Sequence, residues 1–188
     1  MARAIFVKKA RKNNPVCKKG ESYYWWKFRF GSKHYSLTKP RQSQLTQSDF
    51  LSQIYGLQET IEDMNIESNF ESDVEEIKSE LENLQSGCEE KRDNMPEQLQ
   101  DAPTGELLQG RYDSIEEMIS ELDAIDVECD EDSIKEEVTS EFKEDFEKEP
   151  KDFSKEEKEK LESAIEEKIE GRKEEILEEI QNIGYNGE

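Results

Sequence analysis

The chain has 188 residues, of which 32% are hydrophobic and 39% are charged, and its formal net charge is -22. This composition argues against a single large apolar core and predicts either thin helical layers or partial disorder. No apolar run is long enough to cross a bilayer, and no secretory signal is visible. Because the three cysteines are also widely spaced, we expect a cytoplasmic protein with reduced thiols and no membrane partner.

Charge is divided unevenly along the chain. Residues 1–41 carry 12 Lys or Arg and one acid, residues 42–125 carry four cations and 22 acids, and residues 126–188 carry ten cations and 25 acids. We therefore predict a basic aromatic β module at 1–41, an acidic helical hairpin at 42–125 with a turn near 101–105, and an acidic helical C-terminal region at 126–188. A basic segment this dense indicates an anionic partner.

The stretch Tyr23–Tyr35, YYWWKFRFGSKHY, predicts a β-hairpin. Gly31-Ser32 suits a two-residue type II′ loop, which would pair Trp26 with Leu37 across the strands. Alternation would then place five residues on a core face, namely Trp26, Phe28, Phe30, Tyr35 and Leu37. The opposite face would combine aromatic and cationic residues, namely Tyr23, Trp25, Lys27, Arg29 and His34. Residues 4–8, AIFVK, would add a third strand next to a basic loop.

These residues form a candidate nucleic-acid-binding surface, because Lys and Arg bind phosphates and aromatic rings stack on bases. Its predicted members are Lys8, Lys9, Arg11, Lys12, Lys18, Lys19, Tyr23, Trp25, Lys27, Arg29, Lys33 and His34. Two alternatives stay open. The aromatic residues could serve only to stabilise a small sheet, and the cations could face the acidic residues of the protein itself.

The stretch Gly20–Thr38, GESYYWWKFRFGSKHYSLT, resembles the three-stranded arm-type DNA-binding domain at the N-terminus of phage integrases. In that family a glycine precedes an aromatic strand with interleaved Lys or Arg, followed by a Gly-Lys hairpin and a returning strand with Tyr. The matching positions are Gly20, Tyr24, Trp26, Lys27, Arg29, Gly31, Lys33 and Tyr35. The resemblance covers about a fifth of the chain and implies a sheet that inserts into the DNA major groove. No integrase catalytic domain follows it.

After Pro40 the apolar residues recur at helical spacing. The first stripe is Phe50, Ile54, Leu57, Ile61 and Met64, and a second, after a stutter at 65–69, is Phe70, Val74, Ile77, Leu81, Leu84 and Cys88. A turn at 101–105, with Thr104 as a cap, leads to a returning stripe from Leu108 to Leu122. We therefore predict a mainly α fold, in which long acidic amphipathic helices form an antiparallel coiled-coil hairpin, with a small N-terminal three-stranded β-sheet.

Two capping-box patterns, Ser133-x-x-Glu136 and Ser154-x-x-Glu157, predict further helices in the C-terminal region. The same region places Asp126, Glu128, Asp130, Asp132 and Glu137 at the offsets of a calcium loop, but Glu131 stands where such a loop needs glycine. We predict no metal site and no cofactor.

An enzyme is not expected, since the chain has one histidine and lacks a glycine-rich phosphate loop and a nucleophile elbow. Residues 94–125, NMPEQLQDAPTGELLQGRYDSIEEMISELDAI, resemble a stretch found in a scattered group of uncharacterised phage proteins. That resemblance implies a phage or prophage origin and a host-cell cytoplasmic location, and it supplies no activity.

Our leading hypothesis is a non-enzymatic phage accessory protein. Its basic aromatic β module would bind DNA, RNA or a nucleoprotein, and its acidic helices would bind a host or phage protein. In one version of this hypothesis the acidic helices are a nucleic-acid mimic that inhibits a host nucleic-acid-handling enzyme. The alternative is a structural or scaffold coiled-coil protein of a virion or nucleoprotein complex, which could form a homo-oligomer. Abundance in purified particles would separate the two hypotheses.

Overall fold

Three strands followed by six α-helices make up the fold, as described by a computed structural model for residues 1–146 and 150–187. The strands are β1 (Ile5–Val7), β2 (Tyr23–Lys27) and β3 (Lys33–Ser36). The helices are α1 (Asp49–Asp63), α2 (Phe70–Asp93), α3 (Glu97–Gln100), α4 (Pro103–Ala124), α5 (Glu131–Phe146) and α6 (Lys155–Gln181). The predicted mainly α fold with a small N-terminal sheet is confirmed. Residues 147–149 and 188 of the predicted C-terminal helical region lie outside the described residues.

The chain divides into two compact units, Met1–Asp63 and the part from Met64 onward. We call the first the basic unit, because it carries 12 Lys or Arg against five acids, and the second the acidic unit, with a net charge of -29. The basic unit is larger than the predicted module of residues 1–41, since it includes α1.

The sheet is antiparallel with the order β1-β2-β3, and β1 matches the strand predicted at residues 4–8. The predicted two-residue loop was wrong. Trp26 pairs with His34 rather than Leu37, and the connection from β2 to β3 runs through residues 28–32. Gly31 does not adopt the positive φ that a type II′ turn requires, and its N–H donates to the Phe28 carbonyl at 3.2 Å.

The observed register is explained by contacts between the strands. The His34 ring stacks on Trp26 with their centroids 5.4 Å apart, and the Lys33 ammonium lies over the Trp25 ring. Both contacts require that β3 be shifted along β2 by three residues from the predicted register, so that Trp26 pairs with His34 and not with Leu37. Because three is odd, the shift moves every β3 side chain to the other face relative to β2.

Helices α2 and α4 form an antiparallel hairpin, as predicted. Lys78 near the start of α2 pairs with Asp123 near the end of α4, with 2.5 Å between Nζ and Oδ1. This hydrogen bond to Asp123 raises the pKa of Lys78. Apolar side chains of both helices are buried, namely Phe70, Val74, Ile77, Leu81 and Cys88 on α2 and Leu108, Ile115, Met118 and Leu122 on α4.

The hairpin turn runs over residues 94–102 and contains α3. Helix α4 begins with Pro103 in its first turn, so Thr104 is not the cap, and the predicted cap was wrong. Gly105 lies so close to α3 that a Cβ there would be 2.0 Å from the Gln100 carbonyl oxygen. The predicted stutter at 65–69 is a break between helices, where the Asn69 side chain caps α2 by accepting from Ser72 N–H at 3.2 Å.

A second antiparallel pair, α5 and α6, is joined by ion pairs. Lys168 reaches Glu137 at 2.9 Å and Lys173 reaches Glu131 at 2.9 Å, which brings the start of α5 next to the C-terminal half of α6. The Ser154 capping box is confirmed. The Ser133 box was wrong, because α5 begins at Glu131 and the nearby Asp130 carboxylate accepts from Ser133 N–H at 3.0 Å.

The cysteines lie in different parts of the chain and are all free thiols. Cys17 and Cys88 are buried, whereas Cys129 is half-buried. None of the helices that the structure describes is both long and apolar enough to span a bilayer.

Candidate nucleic-acid interface

The long loop between β1 and β2, residues 8–22, which we call the basic loop, is held by its own polar groups. Ala10 N–H donates to the Glu21 carbonyl at 2.8 Å, and Gly20 N–H donates to the Ala10 carbonyl at 2.9 Å. The Asn14 side chain accepts from Val16 N–H and Cys17 N–H at 3.0 and 2.8 Å. None of these hydrogen bonds uses a cationic side chain of the loop.

Six of the predicted site residues lie in this loop, and the side chains of all six are exposed. They are Lys8, Lys9, Arg11, Lys12, Lys18 and Lys19. Underneath them the buried Ala10 and Cys17 give the loop a small apolar anchor, and the Asn14 amide donates to the Cys17 sulfur at 3.2 Å. The loop therefore presents a set of cations on an ordered backbone.

One face of the sheet, which we call the Trp25 face, collects four more predicted residues. Tyr23, Trp25 and Lys27 alternate along β2, and Lys33 lies opposite Lys27 on β3. The Lys33 Nζ atom is 4.3 Å from the Trp25 ring centroid, which is cation–π geometry.

Tyr35, which the predicted register assigned to the core face, also belongs to the Trp25 face. It lies opposite Trp25, and its ring centroid is 6.0 Å from that of Tyr23. Alternation within a single strand could not predict that Tyr35 belongs to the Trp25 face, because its face depends on the register between β2 and β3.

His34 was predicted to share a face with Trp25, and that prediction was wrong. It stacks on Trp26 on the opposite face and meets the edge of Phe28 with centroids 5.5 Å apart. Arg29 is in the hairpin connection, where its guanidinium lies 5.3 Å from the Phe30 ring centroid. The structure thus groups Tyr23, Trp25, Lys27 and Lys33 and separates Arg29 and His34 from them.

The cations of the basic unit are almost all without carboxylate partners inside that unit. Every residue of the unit is described, and among the 12 Lys and Arg of residues 1–41 only Arg41 forms an ion pair there, with 2.6 Å between its Nη1 and Asp63 Oδ2. The hydrogen bond to Asp63 raises the pKa of Arg41. In the acidic unit, by contrast, Lys78, Lys168 and Lys173 each meet a carboxylate from another helix.

A cleft of 620 Å³ in the basic unit lies between the segment around Arg41 and α1. Two of the three carboxylates on its wall hold partners, since Glu59 accepts from Ser43 N–H at 3.0 Å and Ser43 Oγ at 2.7 Å, and Asp63 accepts from Arg41. These contacts fasten residues 41–43 to α1.

Carboxylates within and beside the calcium-loop pattern are engaged in other contacts, as Asp130 and the neighbouring Glu131 show. Asp130 caps α5, and its hydrogen bonds from Ser133 lower its pKa. Glu131 binds Lys173, and this hydrogen bond lowers the pKa of Glu131. Among residues 1–146 and 150–187, no three His, Cys, Asp or Glu side chains converge as a metal site would require.

Comparison of the chain with protein-family models, with curated proteins and with solved structures gives no match. A functional proposal for this protein therefore rests on the geometry and the charge of its two units.

Proposed function

We propose that the protein is a non-enzymatic nucleic-acid-binding protein, in which the basic unit holds the phosphate backbone and the acidic unit contacts another protein. One observation carries this proposal. Of the 12 Lys and Arg side chains in residues 1–41, Arg41 alone pairs with a carboxylate of its own unit, although the chain as a whole has a net charge of -22. Exposed cations that have no carboxylate partner in their own unit suit an external polyanion.

The arrangement of these cations supports a nucleic acid in particular. The loop places six cations on an ordered backbone, and the Trp25 face adds Lys27 and Lys33 beside aromatic rings. Phosphates bind to Lys and Arg with release of counterions, while rings give the base and sugar an apolar contact. A small anionic metabolite would not need cations distributed over a loop of this length.

The acidic unit supports a protein partner. Its ion pairs between distant parts of the chain engage Lys78, Lys168, Arg172 and Lys173, and its 43 acids exceed its 14 cations by far. A carboxylate-rich helical surface is complementary to a basic protein surface, and the nucleic-acid groove of a polymerase or nuclease is one such surface. In this proposal the protein is a phage accessory factor that occupies such a groove of a host enzyme while the basic unit holds nucleic acid.

The test is the affinity for labelled duplex DNA, single-stranded DNA and RNA at about 50 and about 200 mM salt. The unaltered chain is compared with Lys27→Glu/Lys33→Glu, which reverses two charges of the Trp25 face. The matched control is Lys91→Glu/Lys158→Glu, which makes the same change in net charge at two exposed positions of the acidic unit.

We expect salt-sensitive binding by the unaltered chain and the control, and a loss of about tenfold or more in the Lys27→Glu/Lys33→Glu variant at low salt. Equal losses in both variants would mean that only net charge matters. If none of the three nucleic acids binds at low salt, the basic unit is not a nucleic-acid interface.

The acidic unit is tested separately, by asking whether the full chain displaces labelled duplex from purified host polymerases and nucleases. Displacement that disappears at high salt is the expected result. If the chain leaves every such complex intact, the mimic hypothesis is wrong, whether or not the basic unit binds nucleic acid.

A further inference from the structure

The Trp25 face contains a row of aromatic rings that are neither buried nor fully exposed. Tyr23, Trp25 and Tyr35 are all half-buried, and Trp25 lies directly opposite Tyr35. Neighbouring strands are about 4.8 Å apart, so these rings form a continuous patch. On the β1 side the patch continues with Ile5, which is paired with Trp25 and is 44% exposed.

Cations border this patch at both ends. Lys27 and Lys33 lie at one end of the β2–β3 pair, and both are exposed. At the other end Tyr23 pairs with Val7, after which the chain enters the basic loop with Lys8 and Lys9. The four-residue step from Tyr23 to Lys27 spans about 13 Å. A nucleic-acid strand lying along β2 would therefore have cations for its phosphates at each end and rings for its bases between them.

From this arrangement we infer that the ligand of the basic unit is single-stranded nucleic acid, whose unpaired bases stack on the Trp25–Tyr35 patch. The inference rests on the proposed function and narrows it to one class of ligand. Base stacking on aromatic side chains needs a free base face, and bases in a duplex offer only their edges to a protein. Half-buried rings on a sheet face are placed to meet base faces, not to reach into a groove.

Lys33 occupies the position where a base would stack. Its Nζ atom lies over the Trp25 ring in the free protein, 4.3 Å from the centroid. Binding of a strand would move this ammonium group from the ring to a phosphate and uncover the indole. Fluorescence of Trp25 should therefore respond to a strand that carries bases.

The experiment uses the full chain and single strands of one length that differ only in their bases. One strand carries ordinary bases, a second is abasic with the same phosphates, and a duplex of the same sequence is the third ligand. Each is made as DNA and as RNA. We expect the ordinary strand to bind about tenfold or more tightly than the abasic strand and the duplex, and to quench tryptophan fluorescence.

Trp25→Leu keeps apolar bulk but removes the ring, so it should lower affinity for the ordinary strand to that of the abasic strand. It should leave affinity for the abasic strand unchanged. Trp25→Phe, the matched control, keeps an aromatic ring and should retain most of the preference for the ordinary strand over the abasic strand. Thermal unfolding checks that both variants fold, and if Trp25→Leu does not fold, the abasic comparison on the unaltered chain decides.

The outcomes separate this inference from the proposed function. Equal binding of the ordinary and abasic strands, with no quenching, would overturn the stacking inference and leave nucleic-acid binding intact. Preference for the duplex would also overturn it and would favour the groove-binding mode that the integrase resemblance implies. Absence of binding to every ligand would overturn both proposals.

Discussion

Lys27 and Lys33 are backbone partners at the end of the β2–β3 pair, so two residues of like charge stand opposite each other across the strands. Such a pair destabilises an antiparallel sheet. The position of this lysine pair beside an aromatic patch is typical of a surface that binds an anion, and it is unfavourable for the stability of the sheet.

The substitution Lys27→Glu should therefore affect stability and binding in opposite directions. A Glu opposite Lys33 replaces repulsion with attraction and should raise the stability of the sheet by a few tenths of a kcal/mol, within the ~0.2–1 kcal/mol of cross-strand pairs. Nucleic-acid affinity should fall at the same time. Thermal unfolding and binding titrations measure the two effects, and Lys27→Gln should give an intermediate result for both. A fall in stability together with affinity would contradict this explanation.

Gly20 has a φ of +100°, and this conformation closes the basic loop before β2. A Cβ at this position would meet nothing within 4 Å, so Gly20→Ala should lower the stability of the protein only through backbone strain. We expect a destabilisation of about 1–2 kcal/mol, measured by denaturant unfolding.

Gly87 provides the opposite case. It lies inside α2, its φ is not positive, and a Cβ there would also meet nothing within 4 Å. Gly87→Ala should therefore stabilise the chain by about 0.5–1 kcal/mol. The two substitutions together test the backbone conformations of Gly20 and Gly87. Changes of the same sign in the free energy of unfolding would contradict these conformations.

The core of the α2–α4 hairpin should be sensitive to truncation. Leu81 is fully buried, so Leu81→Ala should lower the free energy of unfolding of the acidic unit by about 2–5 kcal/mol. Leu107 on α4 is 36% exposed, and Leu107→Ala should cost less than about 1 kcal/mol. Loss of helical signal on denaturation measures both, and a similar cost for the two would place Leu81 outside the core.

The contact between α5 and α6 should depend on pH through Glu131. Its hydrogen bond from Lys173 holds the pKa of this carboxyl below its ordinary value of about 4.3. A lowered folded-state pKa stabilises the fold above the unfolded-state pKa, and this contribution is lost as the pH falls through the folded-state value.

We therefore expect Glu131→Gln to lower the unfolding midpoint near pH 7, with the difference from the unaltered chain fading below about pH 4. The control is Glu136→Gln, which removes one charge from the same helix at an exposed position with no ion pair among the described residues. Circular dichroism during heating measures the midpoints. A difference that persists at low pH would show that Glu131 acts through packing and not through its charge.

The helical part of this fold could be predicted from spacing. Leu81 and Ile115 both belong to the predicted apolar stripes, and both are fully buried, because steps of three and four residues define one face of a helix regardless of its neighbours. The helix starts were less predictable. Ser133-x-x-Glu136 has the pattern of a capping box, yet the Asp130 carboxylate three residues earlier takes the capping role. Several polar residues near a helix start compete for the same N–H groups, and their order of preference depends on the surrounding structure.

The strand register decides which residues form the candidate interface, and it was not predictable from one strand at a time. Alternation correctly grouped Tyr23, Trp25 and Lys27, because it depends only on β2. The places of Tyr35 and His34 depend on contacts between strands, such as the stacking of His34 on Trp26. The Gly31-Ser32 pair favoured a tight turn by its composition, but these contacts select a longer connection.

The positions of the three free thiols have a practical consequence for following motion in this chain. Cys17 is buried under the basic loop and Cys88 in the α2–α4 hairpin, where burial raises its thiol pKa, whereas Cys129 is half-buried ahead of α5. A maleimide reagent should therefore modify Cys129 first, and the other two only when their surroundings open. The native chain can thus accept a single dye without any substitution. The slower labelling rate of Cys17 would then measure how often its surroundings in the basic unit open, and that of Cys88 would measure the same for the acidic unit.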